Sequence, residues 1–139
     1  MRSVTLKGRE IPLVYTTYEM KVIQEEIARP MDRAISLIMG RNPDNKEDMS
    51  MYAGPEHLDA AAKLIRILGN AGLEEAGEAP DLTDRKVLRA IRPGELSEMI
   101  SACMDAMAEG MRSEIPDTAE EGPVDVTLEE MNKKKERES

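Results

Sequence analysis

The sequence predicts a mostly α fold of the α+β kind. An N-terminal β-hairpin packs on a small bundle of about four to five helices, and a disordered acidic C-terminal tail follows. Three observations carry that expectation. Val4 and Leu6, then Ile11, Leu13 and Tyr15, alternate with other residues on either side of Gly8-Arg9, the period of a half-buried hairpin. Later stretches carry apolar residues at helical spacing, opened by capping residues or prolines. From Glu114 to Ser139, nine acidic and four basic residues leave too little apolar surface to offset the entropy of ordering. The expected division is a single mainly helical domain over 1–113, beginning with a hairpin over 3–15, and a flexible charged tail over 114–139.

The hairpin turn is expected at Gly8-Arg9, with Gly8 taking the positive φ of the first central position of a type II′ turn. Pro12 has no N–H to give to a ladder, so the second strand is an edge strand or turns that position to solvent. A two-stranded ribbon is not stable alone, and its Val4, Leu6 and Leu13 side must lie on the helices. Thr16 and Glu19 have the spacing of a capping box for a helix running to about Ala28. Tyr18, Val22, Ile23 and Ile27 are its expected buried face, and Lys21, Glu25 and Glu26 its wet one. Arg29-Pro30 interrupts the pattern, because proline disfavours the α conformation in the residue before it. Met31, Ala34, Ile35 and Ile38 then give another apolar face stopped by Gly40, and the pattern leaves open one kinked helix or two.

Arg41 to Gly54 has turn residues, mixed charge and no period, so it reads as a loop long enough to be mobile or functional. Met49, Met51 and Tyr52 within it are candidate contact points for a partner. Pro55 opens a third helix to about Leu68, with Leu58, Ala61, Ala62, Ile65 and Leu68 inward and Gly69-Asn70 as its stop. Ala71 to Pro80 is acidic and rich in small residues, the composition of a flexible connector. Asp81 or Thr83 caps a short helix carrying Val87, Leu88 and Ile91, and Arg92-Pro93 breaks it. The stretch from Pro93 to Met111 reads as one amphipathic helix with Leu96, Ile100, Cys103 and Met107 in the core. Met99, Met104 and Met111 flank that stripe and are its candidate partner surface, methionine being unbranched, polarizable and tolerant of irregular partners.

Composition narrows the function classes. The chain has 139 residues and a net charge of −9, which argues against nucleic acid or an anionic membrane as partner, since phosphate surfaces need clustered Lys and Arg. It has neither Trp nor Phe, and Tyr15, Tyr18 and Tyr52 are its only tyrosines, so the core is aliphatic and methionine-based. No stretch approaches the roughly 20 apolar residues that span a bilayer, and the expected location is a reducing cytosol. Cys103 is the only cysteine, on an apolar stripe where burial would make it inert. His57 is the only histidine and reads as a surface helix residue, so a histidine relay or histidine metal cluster lacks its second member. The acidic doublets Glu25-Glu26, Glu74-Glu75, Glu120-Glu121 and Glu129-Glu130 read as solvated charge, and no phosphate-binding glycine loop or G-x-S-x-G motif is present. No catalytic residue, cofactor or metal is expected, and the chain reads as a non-enzyme.

The opening SVTLKGREIPLVYTTYEMKVIQEEI resembles the start of tail assembly chaperones of long-tailed bacteriophages and prophages, in which a glycine-turn hairpin leads directly into a helix with an apolar-acidic pattern such as Ile23, Glu25 and Glu26. The later LTDRKVLRAIRPGELSEMISACMDAM, a short helix and then a long apolar one, is similar to the second half of that family. The resemblance spans roughly Ser3 to Met111 and is one of layout; the methionine-rich second half and the Arg29-Pro30 break depart from it. It implies a non-catalytic assembly factor in the host cytoplasm, absent from the mature virion, that binds the tape-measure protein, with tail-tube subunits as a further partner; self-association is a separate open reading. Two other classes fit the composition: an acidic adaptor or inhibitor module acting on a basic partner, and a minor structural protein of the virion.

Overall fold

A computed structural model of the protein describes residues 2–112, and the expected tail over 114–139 lies outside them. The chain order is β1 (Ser3–Leu6), β2 (Arg9–Pro12), α1 (Thr17–Glu26), α2 (Met31–Ile38), α3 (Pro55–Glu75), α4 (Asp84–Ala90) and α5 (Leu96–Met111), the last entered through a 3-10 turn at Pro93–Glu95. The fold is mostly α with an N-terminal antiparallel hairpin.

The hairpin pairs Leu6 with Arg9, Val4 with Ile11 and Ser3 with Pro12. Its turn is therefore Lys7-Gly8, one residue earlier than expected. Lys7 at φ 50° and Gly8 at φ 79° have the double positive φ of a type I′ turn, whose twist matches that of the strands. Pro12 sits at a pair that exchanges no hydrogen bonds, since the next pair closes with Leu13 N–H donating to the Arg2 carbonyl at 2.8 Å. Its missing N–H costs the ladder nothing. Val4, Leu6, Ile11, Leu13 and Tyr15 are all buried against the helices.

Thr16 caps α1 as its spacing predicts, and the box closes through Glu19 Oε1, which accepts from Thr16 N–H at 2.8 Å. That duty turns Glu19 inward with Ile23, and Tyr18 is displaced to the surface, 65 % exposed rather than buried. The residues after Ile27 separate α1 from α2 as two helices, with a cis peptide at Arg29-Pro30. Within α2, Ala34 and Ile38 are fully buried, and Met31 and Ile35 half-buried, while Gly40 at φ 79° terminates the apolar run.

The central element is α3, which touches α1, α2, α4, α5 and β2. It does not stop at Gly69-Asn70 but runs two further turns to Glu75, so half of the expected connector is helix, with Ala71 and Leu73 buried. Both apparent stop residues have other uses. A side chain at Gly69 would meet Leu82 Cδ1 at 2.8 Å and Ile11 Cγ2 at 3.1 Å. The Asn70 amide binds the backbone of Leu82 in both directions, accepting its N–H at 2.9 Å and donating to its carbonyl at 3.1 Å. The true stop is Gly77 at φ 79°, past which Glu78 N–H folds back to the Leu73 carbonyl at 2.8 Å.

Thr83 caps α4, whose Val87 is buried and whose Leu88 is 40 % exposed. Asp84 at its start receives Arg66 Nε at 2.6 Å and Lys63 Nζ at 3.0 Å, and Arg66 also binds Glu26. This ion network ties α3 to α1 and α4. Burial opposes ionisation of Asp84, but the hydrogen bonds from Arg66 and Lys63 outweigh it and hold its carboxyl below the usual range. Along α5, Leu96, Ile100, Cys103 and Met107 are buried as the stripe predicts, joined by Ala106.

The tightest contact lies between α3 and the strand. A β-carbon at Gly72 would stand 1.8 Å from the Pro12 carbonyl oxygen, closer than any backbone shift of a few tenths of an ångström relieves. Gly72→Ala is expected to cost about 3 kcal/mol or more in chemical denaturation, whereas Gly94→Ala, with open space around its site, should stay within about 0.5 kcal/mol. Equal effects of the two substitutions would contradict this packing.

Candidate functional site

The loop between α2 and α3 is folded on itself by Asn and Asp side chains. Asn42 accepts from Asp44 N–H at 2.8 Å, Asn45 from Glu47 N–H at 3.2 Å and Asp48 from Ser50 N–H at 2.9 Å. These local bonds replace the secondary structure that the segment lacks. Those from Ser50, and then that from Asn42, hold the Asp48 carboxyl below its ordinary range. Ala53 enters the left-handed region at φ 65°, where a β-carbon costs about 1 kcal/mol, and its N–H donates to His57 Nδ1 at 2.8 Å.

His57 is thus no surface residue: it has no exposed area, and it anchors the loop to the first turn of α3. Its ring lies under Tyr52, with centroids 4.9 Å apart. Acceptance at Nδ1 assigns the ring proton to Nε2, which finds no hydrogen-bond partner among the described residues. Burial disfavours the imidazolium and lowers the His57 pKa, opposed in part by the Ile38 carbonyl. Neighbouring Glu56 and Asp59 gave the stretch a polar look, and in this exposed first turn of α3 His57 alone is interior, covered by the loop.

Tyr52 and His57 form one side of an open socket of about 220 Å³, completed by Met39 and by Ser97, Ile100, Ser101 and Met104 of α5. The lining is largely apolar, with two hydroxyls at its edge. Of the six residues that the sequence marks as partner candidates, the fold brings Tyr52 and Met104 together here. Met49 is exposed and Met51 half-buried on the same loop, neither lining the socket. Met99 faces a separate groove beside β1. Met111 is 66 % exposed at the far end of α5 and joins none of the others. Met39, Ile100 and His57 carried no sequence signal for this role: the α5 stripe places Ile100 in the core, His57 reads as a surface residue, and Met39 lies outside the face of Met31, Ala34, Ile35 and Ile38.

Among the described residues no group of three His, Cys, Asp or Glu side chains is placed to hold a metal ion, and no helix is long and apolar enough to cross a membrane. Cys103 is fully buried, and burial pushes its thiol up to about 12.

Two solution properties follow from these environments. The unfolded chain takes up a proton at its histidine as pH falls through 6.5, while the folded chain resists, so stability present above that pH is lost on descent to the lowered folded value. Stability is expected to fall between about pH 7 and 5, and His57→Leu, removing the only histidine, should flatten that slope; an unchanged slope would refute the assignment. Cys103 is expected to react with a thiol reagent only at the rate of unfolding, with full modification in denaturant; prompt labelling of the native protein would contradict its burial. No family model, curated protein or solved structure matches this chain.

Proposed function

We propose that the protein is a non-catalytic binding protein for a helical client, of the phage tail assembly chaperone kind, acting in the host cytoplasm on the tape-measure protein and on tail-tube subunits, and left out of the mature virion. The observation that supports this reading best is the open apolar socket in which Tyr52, Met39 and Met104 meet. It is sized for one or two large aliphatic side chains, such as those that a client helix presents at successive turns. Methionine walls adapt to different side chains at low cost, which suits a client with many similar apolar segments. Exposed Met49 and Met111 add further apolar surface, each at some remove from the socket.

The rival acidic mimic would need its carboxylates gathered on one ordered face. In the described residues many carboxylates instead neutralise cations of the same chain: Glu26 and Asp84 bind Arg66, Glu78 and Asp81 bind Arg9, and Asp105 and Glu109 bind Arg2. That arrangement favours the apolar reading.

Co-expression with a tape-measure protein from the same genome tests it. A soluble complex that survives high salt is expected, and an insoluble client with no co-eluting complex would defeat the proposal. Tyr52→Ala combined with Met104→Ser should weaken the complex roughly tenfold or more, as loss of a central apolar contact does. Thermal unfolding of the free protein then separates the roles: a collapse in Tm would make the two residues structural.

A further inference from the structure

The acidic chain carries a basic groove. Fifteen Lys and Arg residues occur in residues 2–112, and six of them gather where the hairpin turn meets α4. Lys7, Arg9, Arg85, Lys86 and Arg89 line a groove of about 540 Å³ with no carboxylate in its lining, and its floor is Leu6, Ile11, Leu82 and Ala90. Lys7 and Arg89 also border the adjoining groove along β1, which is of mixed charge, lined by Arg92 and by Glu95 and Glu98. Arg9 is paired with Glu78 and Asp81, but Lys7, Arg85, Lys86, Arg89 and Arg92 form no ion pair among the described residues. Five gathered cations without an ion pair repel one another, so an anionic occupant would be stabilised there.

We infer that the occupant is the acidic segment 114–130 of this same chain. Charge complementarity is the first ground: the segment holds seven carboxylates and no cation, the nearest being Lys133. The second is reach. Arg112 follows the end of α5, where Glu109 is held by Arg2 at 2.9 Å, beside the start of β1. From Arg2 to Lys7 the strand covers roughly 17 Å, and seven extended residues span about 23 Å, so the chain from Glu120 onward reaches the basic groove. The third is chemistry along the segment: Val124, Val126 and Leu128 alternate with Asp125 and Thr127 and precede Glu129-Glu130, which suits an apolar floor with a basic rim. The groove lining has no aromatic side chain to stack on bases, and the net charge of −9 repels a polyanion, which disfavours nucleic acid as the occupant. Attachment in one chain gives the segment an effective concentration that a separate acidic peptide lacks. This inference is independent of the client socket, which lies on other residues.

Zero-length carbodiimide coupling of the full chain, read by peptide mass spectrometry on a mixture of light and heavy isotope-labelled protein, tests the contact. Lys7 and Lys86 are expected to couple to carboxylates of 114–130 within one chain, roughly tenfold more than Lys21 and Lys46 do, with the excess vanishing at high salt. The double variant Arg85→Glu, Arg89→Glu should abolish the excess. Adding Glu129→Lys and Glu130→Lys to that variant should restore coupling within one chain, now between the carboxylates introduced on α4 and the lysines introduced in the segment. Equal coupling at all four native lysines overturns the proposal. So does coupling confined to light–heavy pairs, which would make the occupant a second copy, and so does tighter binding of a duplex oligonucleotide by the native chain than by the double variant without any intramolecular coupling. Thermal unfolding of each variant, expected to match the native chain because these side chains are at the surface, excludes misfolding as the cause.

Discussion

The hairpin is seated on α3 by backbone contact, at Gly72 against the Pro12 carbonyl, and much of the remaining structure is arranged around that approach. With no β-carbon between them, helix and strand come close enough for Val14 N–H to donate to the Leu68 carbonyl at 3.2 Å, and for Ile11 to reach Gly69. A two-stranded ribbon has too little internal stability to persist, so this seat is what makes it part of the fold. Once placed, the ribbon offers β1 to α5, and the interior face of α5 fills the space with Leu96, Ile100, Cys103 and Met107. The core is built from aliphatic and sulfur-containing side chains with Tyr15 as its one buried tyrosine.

Polar chemistry serves the same assembly at its margins. Arg66 and Lys63 hold Asp84 and Glu26, fixing α4 and α1 on α3 from the outside. These partners are partly exposed, so their value lies in orientation more than in a large gain of free energy. Asn70 has a stricter task, because both hydrogen bonds of its amide go to the Leu82 backbone and bring the chain back to α3 after the turn at Gly77. His57 does the equivalent for the preceding loop, at the cost of a buried imidazole with one donor unsatisfied among the described residues.

Two surfaces result, of opposite character. On one side the loop, α2 and α5 leave an apolar socket; on the other, the hairpin turn and α4 leave a basic groove within a protein that is acidic overall. Net charge describes long-range attraction and repulsion, and it does not describe what a particular groove offers at contact distance. A total of −9 is thus compatible with a local anion-binding surface, which the summed charge conceals.

Features that depend on neighbours along the chain are legible in the residues alone. The period-two alternation of Val4, Leu6 and Ile11, the Thr16–Glu19 box, the Pro55 start of α3 and the stripe of α5 all rest on short-range geometry, and all are found in the structure. Residues with two possible uses are settled by what packs against them. Gly69-Asn70 is a local stop signal, overridden because the glycine admits Leu82 and the amide binds its backbone. His57 reads as polar surface until a loop bonded through Asn42, Asn45 and Asp48 covers it, and Tyr18 reads as core until Glu19 turns inward to serve its cap. Neither the socket, drawn from α2, the loop, α3 and α5, nor the groove, drawn from the hairpin and α4, has a spacing that could announce it. Periodicity fixes which way one element faces; which faces meet depends on how closely backbones can approach, and here that is set by glycines whose partners are tens of residues away.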